Sequence, residues 1–127
     1  MAVLAGSTPK YLLRLHNESG VQLDPSNLLQ VVEVKVVIYN AFTGDIIGRF
    51  ILNESTLPAG YSRLTTKVSS TEDVRVQMIL TSAMTIAATG NANEVQVDIH
   101  VPDADVVGGV RIIKNKGKFH EILKSKT

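Results

Sequence analysis

The stretch from Val31 to Tyr39, VVEVKVVIY, constrains this chain more than any other. It is dense in β-branched side chains, whose crowded Cβ atoms suit a pleated strand better than a helix. Alternation with a period of two puts Glu33 and Lys35 on one face and Val32, Val34, Val36 and Ile38 on the other, the pattern of a half-buried central strand. A second run, Asn93 to Val101 (NEVQVDIHV), alternates in the same way, with Val95, Val97, Ile99 and Val101 inward and Gln96, Asp98 and His100 outward. Asp73 to Leu80 (DVRVQMIL) repeats it with Val74, Val76, Met78 and Leu80.

Turn residues set how these strands connect. Asn17 to Gly20 (NESG) closes a hairpin between residues 10–16 and 21–23, with either Tyr11 or Leu12 inward. Asp24-Pro25-Ser26-Asn27 then breaks the chain, because proline removes a ladder donor and the polar side chains cap local turns. Thr43-Gly44-Asp45 turns the central strand back into Ile46 to Leu52, and Pro58 and Gly60 mark a loop over residues 53–60. Tyr61 to Val68 is expected to be one strand, separated from the next by a bend at 69–71. Pro102 stops the 93–101 strand, and Asn115-Lys116-Gly117 is expected to turn a closing hairpin between Val110–Ile113 and Lys118–Leu123. Gly90-Asn91 and Gly108-Gly109 are likewise turn signals. Between Thr81 and Thr89 the rhythm changes: Leu80, Ala83, Met84, Ala87 and Ala88 recur at helical spacing, Thr81 or Ser82 can cap the start, and Gly90 fits the stop. The pattern predicts about seven or eight short strands and one short helix around 81–89, hence an all-β, mainly antiparallel, Ig-like sandwich. A parallel sheet would need several crossover helices.

A chain of 127 residues can bury one core without staples. The absence of cysteine removes disulfides, thiolate zinc sites and thiol nucleophiles. We expect a flexible N-terminal arm over residues 1–9, one sandwich domain over 10–123 and a basic tail over 124–127. No apolar run reaches the roughly eighteen residues that span a bilayer, and Met1 to Gly6 does not resemble a signal peptide, so a soluble, unexported product is expected.

Signals for chemistry are sparse. His16, His100 and His120 fall in three separate expected strands, each readable as an exposed edge or face position. Asp98, His100, Asp103 and Asp105 (DIHVPDAD) form the one cluster that could ligate a hard cation, but they lack a calcium-loop spacing. Acidic strand ends are also ordinary solvated surface, so no metal and no cofactor is expected. No G-x-S-x-G elbow supports a serine nucleophile, and neither glycine pair has phosphate-loop spacing. The chain is expected not to be an enzyme. Carbohydrate sites stack sugars on aromatic rings; there is no tryptophan, and most of Tyr11, Tyr39, Tyr61, Phe42, Phe50 and Phe119 are needed for the core.

Charge is unevenly placed. Residues 1–110 hold seven Lys/Arg against eleven Asp/Glu, whereas residues 111–127 hold Arg111, Lys114, Lys116, Lys118, Lys124 and Lys126 against Glu121 alone. The acidic body of one copy could therefore meet the basic segment of the next, which favours head-to-tail assembly and closed rings. A solvated basic tail, or a strip contacting phosphates, would carry the same residues. The overall charge of +1 argues against a general nucleic-acid-binding surface.

Two segments carry a resemblance. KYLLRLHNESGVQLDPSNLLQVVEVKVVIYN and VQMILTSAMTIAATGNANEVQVDIHV resemble the opening and the later half of the small N-terminal β-sandwich of tailed-phage baseplate and fibre adaptor proteins, across about residues 10 to 123. In those adaptors a long helical or fibrous, receptor-binding segment follows the sandwich, and here the sequence given stops at Thr127. A sandwich of this kind without that segment looks more like a neck or tail ring protein, such as those of crAss-like phages, or a head-fibre or decoration subunit. The resemblance implies a virion structural component, made in the host cytoplasm, that docks copies of itself and other virion proteins. Membranes are not implied, and DNA only as it passes through an assembled channel. A loop-based carbohydrate- or peptide-binding module is the alternative of another class.

Overall fold

Val34, Val36 and Ile38 are fully buried, as the alternation requires, and they seed the larger of two facing sheets. In the computed structural model, which describes residues 2–52, 55–70 and 73–126, the elements run β1 (Val3–Leu4), β2 (Lys10–Leu13), β3 (Glu33–Asn40), β4 (Ile46–Leu52), β5 (Tyr61–Arg63), β6 (Thr65–Ser70), β7 (Asp73–Ile79), α1 (Ser82–Ala87), β8 (Asn93–Pro102), β9 (Val110–Lys118) and β10 (Ile122–Leu123). Five strands form one sheet in the order β5-β4-β3-β8-β9, three form another in the order β2-β7-β6, and β1 pairs with β10. The fold is an all-β sandwich with one short helix.

Register explains the core. Val34, Val36 and Ile38 lie opposite Ile99, Val97 and Val95 on β8 and opposite Leu52, Phe50 and Gly48 on β4, so cross-strand neighbours present one apolar face. Val76 and Met78 of β7, with Tyr11 and Leu13 of β2, cover it from the other sheet. Tyr11 is thus the inward residue and Leu12 the exposed one. Gly48 has a packing role: a Cβ there would sit 3.1 Å from the Met84 sulfur and 3.1 Å from a Phe50 ring carbon. Its missing side chain is the seat for α1 on β4.

Several expectations are corrected. Alternation fails just before β3: Val31 is buried and Val32 is 38% exposed, the Val32 amide donating to the His100 carbonyl. The single strand expected over 61–68 is two. Tyr61–Arg63 pairs parallel with β4, Thr65–Ser70 pairs antiparallel with β7, and buried Leu64 marks the crossing between sheets. Asn115-Lys116-Gly117 does not turn. β9 runs straight through it along β8, with Val97, Gln96 and Val95 as partners, and Gly117 lacks the positive φ that a hairpin turn would use. The actual reversal is the 103–109 loop, where Gly108 and Gly109 have φ of 91° and 75°.

The helix starts where expected, with the Thr81 hydroxyl accepting from the Met84 amide at 3.2 Å. Of its expected inward residues Leu80, Met84 and Ala88 do face the core, but Ala83 and Ala87 are exposed, and Thr85 is fully buried. Thr85 Oγ1 accepts from the Gly6 amide at 2.9 Å and donates to the Ser7 carbonyl at 2.8 Å. Residues 3–9, within the segment expected to be a flexible arm, are therefore held to their own chain, and Met1 lies outside the described residues. β1 pairs parallel with β10, the Ala5 amide donates to the Leu123 carbonyl, and Val3 and Ala5 pack on the core.

A buried threonine bridging two backbone groups gives a sharp test. Thr85→Val keeps the shape but leaves the Gly6 donor and Ser7 acceptor unpaired, so urea unfolding should show a loss of about 1–3 kcal/mol. Ile86→Ala, on the exposed side of the same helix, should stay within about 0.5 kcal/mol.

Candidate interaction surface

The six cations of the basic segment do not form one patch. Arg111 turns inward at the end of the sandwich, where its Nε donates to Asp103 Oδ2 at 2.9 Å and its Nη1 pairs with Glu18. That clamp ties the 17–20 turn to the start of β9. Lys114 donates to Asp98 Oδ2 at 3.0 Å across the β8–β9 register. Lys116 and Lys118 have no ion-pair partner among the described residues and stand exposed on the same outer face of β9, two residues apart. Lys124 and Lys126 are exposed beyond β10.

The structure does not assemble Asp98, His100, Asp103 and Asp105 into a site. Asp98 and His100 share the outer face of β8, but Asp98 is occupied by Lys114 and by the Gln96 amide, and His100 Nδ1 lies 3.5 Å from Glu33 Oε2. Asp103 folds back to accept from the Asp105 amide at 3.0 Å, forming the loop turn, with Arg111 on its other oxygen. Among the described residues no three histidines or acids gather in a way that could hold a metal ion. His16 bridges to Gln22 at a turn, and His120 Nε2 meets the Tyr11 hydroxyl at 2.5 Å beside the Phe119 ring. No helix of the described residues is long and apolar enough to cross a membrane.

Sequence reasoning missed two surfaces. At one end of the sandwich the 17–20 turn, the 24–32 segment and the 103–109 loop meet, joined by the Arg111 clamp and the Val32–His100 ladder bond. Leu28, Leu29 and Val107 project from it, Leu29 at 86% exposure and Val107 wholly exposed. At the other end Phe42, 88% exposed at the tip of the β3–β4 hairpin, borders a hollow of about 320 Å³ shared with Ala92, Glu94 and Lys118. Beside it the Tyr39 hydroxyl donates to Glu94 Oε1 at 3.1 Å, and burial together with that carboxylate holds the phenol above its usual pKa. An exposed apolar residue in a loop leaves no periodic signal. The available sign was the pairing of apolar with turn residues in Asn27-Leu28-Leu29 and Val106-Val107-Gly108.

On the smaller sheet, Asp73 accepts from the Ser69 hydroxyl at 2.7 Å and from Arg75 Nε at 3.0 Å, with Arg14 at 3.4 Å. The Ser69 hydrogen bond and the Arg75 guanidinium hold its carboxyl below the usual 3.8.

Two outcomes follow from this accounting of charge. Arg111→Ala, which unties two acids, should cost about 1 kcal/mol in chemical unfolding, while Lys116→Ala should change stability by less than about 0.5. Because folding lowers the Asp73 pKa, its contribution is complete above 3.8 and lost as pH falls through the lower folded value. Asp73→Asn should therefore flatten the decline in melting temperature below about pH 4.

Comparison of the chain with protein-family models, with curated proteins and with solved structures found no match.

Proposed function

We propose that this chain is a non-enzymatic structural component of a tailed-phage particle, a neck or tail ring or adaptor subunit that holds copies of itself and other virion proteins together. The resemblance of residues 10–40 and 76–101 to phage adaptor sandwiches supports the identity of the particle. One structural observation supports the docking role: exposed Leu28, Leu29 and Val107 stand on two loops at one end of the sandwich, the 103–109 loop tied by the Arg111 salt bridges and the 24–32 segment by the Val32–His100 ladder bond. Loops with exposed apolar side chains on a rigid scaffold are what an assembly contact uses. The same features suit a head-fibre or capsid decoration subunit, which differs in its place on the particle and not in its physics.

Phe42 favours one reading of another class, a loop-based carbohydrate- or peptide-binding module, since an aromatic ring open to solvent is a stacking platform. A single ring with no aromatic neighbour among the described contacts is a weak sugar site, so the structural reading is preferred.

Light scattering of the purified protein should give a discrete oligomer at physiological salt. Its mass should fall to that of the monomer in the Leu29→Asp, Val107→Asp double variant, whose sites are exposed and whose melting temperature should be unchanged. A monomeric parent that also fails to co-sediment with phage tail or neck proteins would overturn the proposal.

A further inference from the structure

The five-stranded sheet ends on β9. β9 pairs with β8 on one side, and no other strand pairs with it among the described residues. From Lys114 to Lys118 every residue is exposed. Its outward backbone groups need partners, and such an edge is a ready template for another strand.

We propose that this edge accepts an extended acidic segment of a different protein as a sixth strand, one that carries a large apolar residue between two carboxylates. Charge sets the first part of that pattern. Lys116 and Lys118 sit on one face with no ion-pair partner among the described residues. A strand laid beside β9 places every second side chain directly opposite them, about 5 Å away.

Gly117 sets the second part. It lies between the two lysines, on the opposite face and opposite Val95, and a Cβ built on it meets nothing within 4 Å. Val95 is only partly covered. An incoming apolar side chain opposite Gly117 would lie across the glycine and onto Val95, which is how aromatic residues compensate for glycine in neighbouring strands.

A second copy of this chain does not fit. The exposed edges of the two sheets are β2, β5, β6 and β9. Their sequences, KYLL, YSR, TTKVSS and VRIIKNKGK, contain no Asp or Glu, and each contains Lys or Arg. No pairing of two of these edges can therefore set a carboxylate against a lysine or arginine, and edge cations work against edge-to-edge self-pairing. The acidic strand therefore comes from another chain, while contacts between copies fall to the loop end. This inference rests on the geometry of β9 and not on the virion reading, so either can fail without the other.

The test uses the full chain and a short soluble synthetic peptide with a Glu-Phe-Glu core, compared with Lys-Phe-Lys and Glu-Ala-Glu counterparts. Fluorescence anisotropy should show binding of the first, weakened at least about tenfold by Lys116→Glu with Lys118→Glu and by added salt. Amide exchange over residues 115–118 should slow when the peptide is bound. Gly117→Val, which an extended backbone tolerates, should abolish the preference for Phe over Ala. Circular dichroism melting should confirm that both variants remain folded. Equal binding of the acidic and basic peptides, affinity unmoved by the charge reversal, or slowed exchange on β2 or β6 in place of β9 would overturn the proposal.

Discussion

The rest of the structure depends on the apolar contact across the two sheets, in which Val34, Val36, Ile38 and Phe50 on one side meet Val76 and Met78 on the other. Because these side chains come from the middle of each sheet, three strands facing five are enough to close the core. Burying each of them stabilises by roughly 1.5–3 kcal/mol, so the central strands need no metal or disulfide to hold together. β4 and β5 are linked to the smaller sheet through Leu64, whereas Lys114 to Lys118 of β9 are all exposed. β9 is an edge because the five-stranded sheet stays open and does not close into a barrel.

Electrostatics divides the surface in a way that net charge conceals. The basic segment read from the sequence as one unit serves two purposes. Arg111 and Lys114 are paired with Asp103, Glu18 and Asp98 and act as internal struts, whereas Lys116 and Lys118 have no ion-pair partner among the described residues. The difference comes from register. Asp98 stands opposite Lys114, and the 103–109 loop brings Asp103 back to Arg111, but opposite Lys116 the partner is neutral Gln96. Lys118 faces Glu94, which instead accepts the Tyr39 hydroxyl.

The strands were largely legible in the sequence wherever one face is buried, because burial enforces the period of two. β4, β7 and β8 fall within a residue or two of their expected limits. What escaped was governed by tertiary context. Asn115-Lys116-Gly117 has turn chemistry, yet nine residues of pairing with β8 outweigh it. Tyr61–Val68 reads as one strand because nothing local shows that Leu64 must point into the core while its flanks join different sheets. Thr85 is polar, so helical periodicity, right for Leu80, Met84 and Ala88, left it out in favour of Ala83 and Ala87; its burial makes sense only once the backbone of Gly6 and Ser7 is placed beside it. Of the candidate site, the residue types were legible but their pairing was not, since that requires register between strands.

The parallel clasp of β1 and β10 has a consequence in time. It joins residues 3–4 to residues 122–123, far apart in sequence, with Gly6 tied to Thr85 and Ile122 to Gly90. Contacts so distant in sequence form late and are slow to close. During synthesis the segment around Val3 emerges long before Ile122 exists, so it lacks its β10 partner until residues 122–123 leave the ribosome. For that interval the newly made molecule has its β3–β4 core available but its first strand unpaired, and completing β10 is the event that retires the N-terminal segment from the pool of exposed strands.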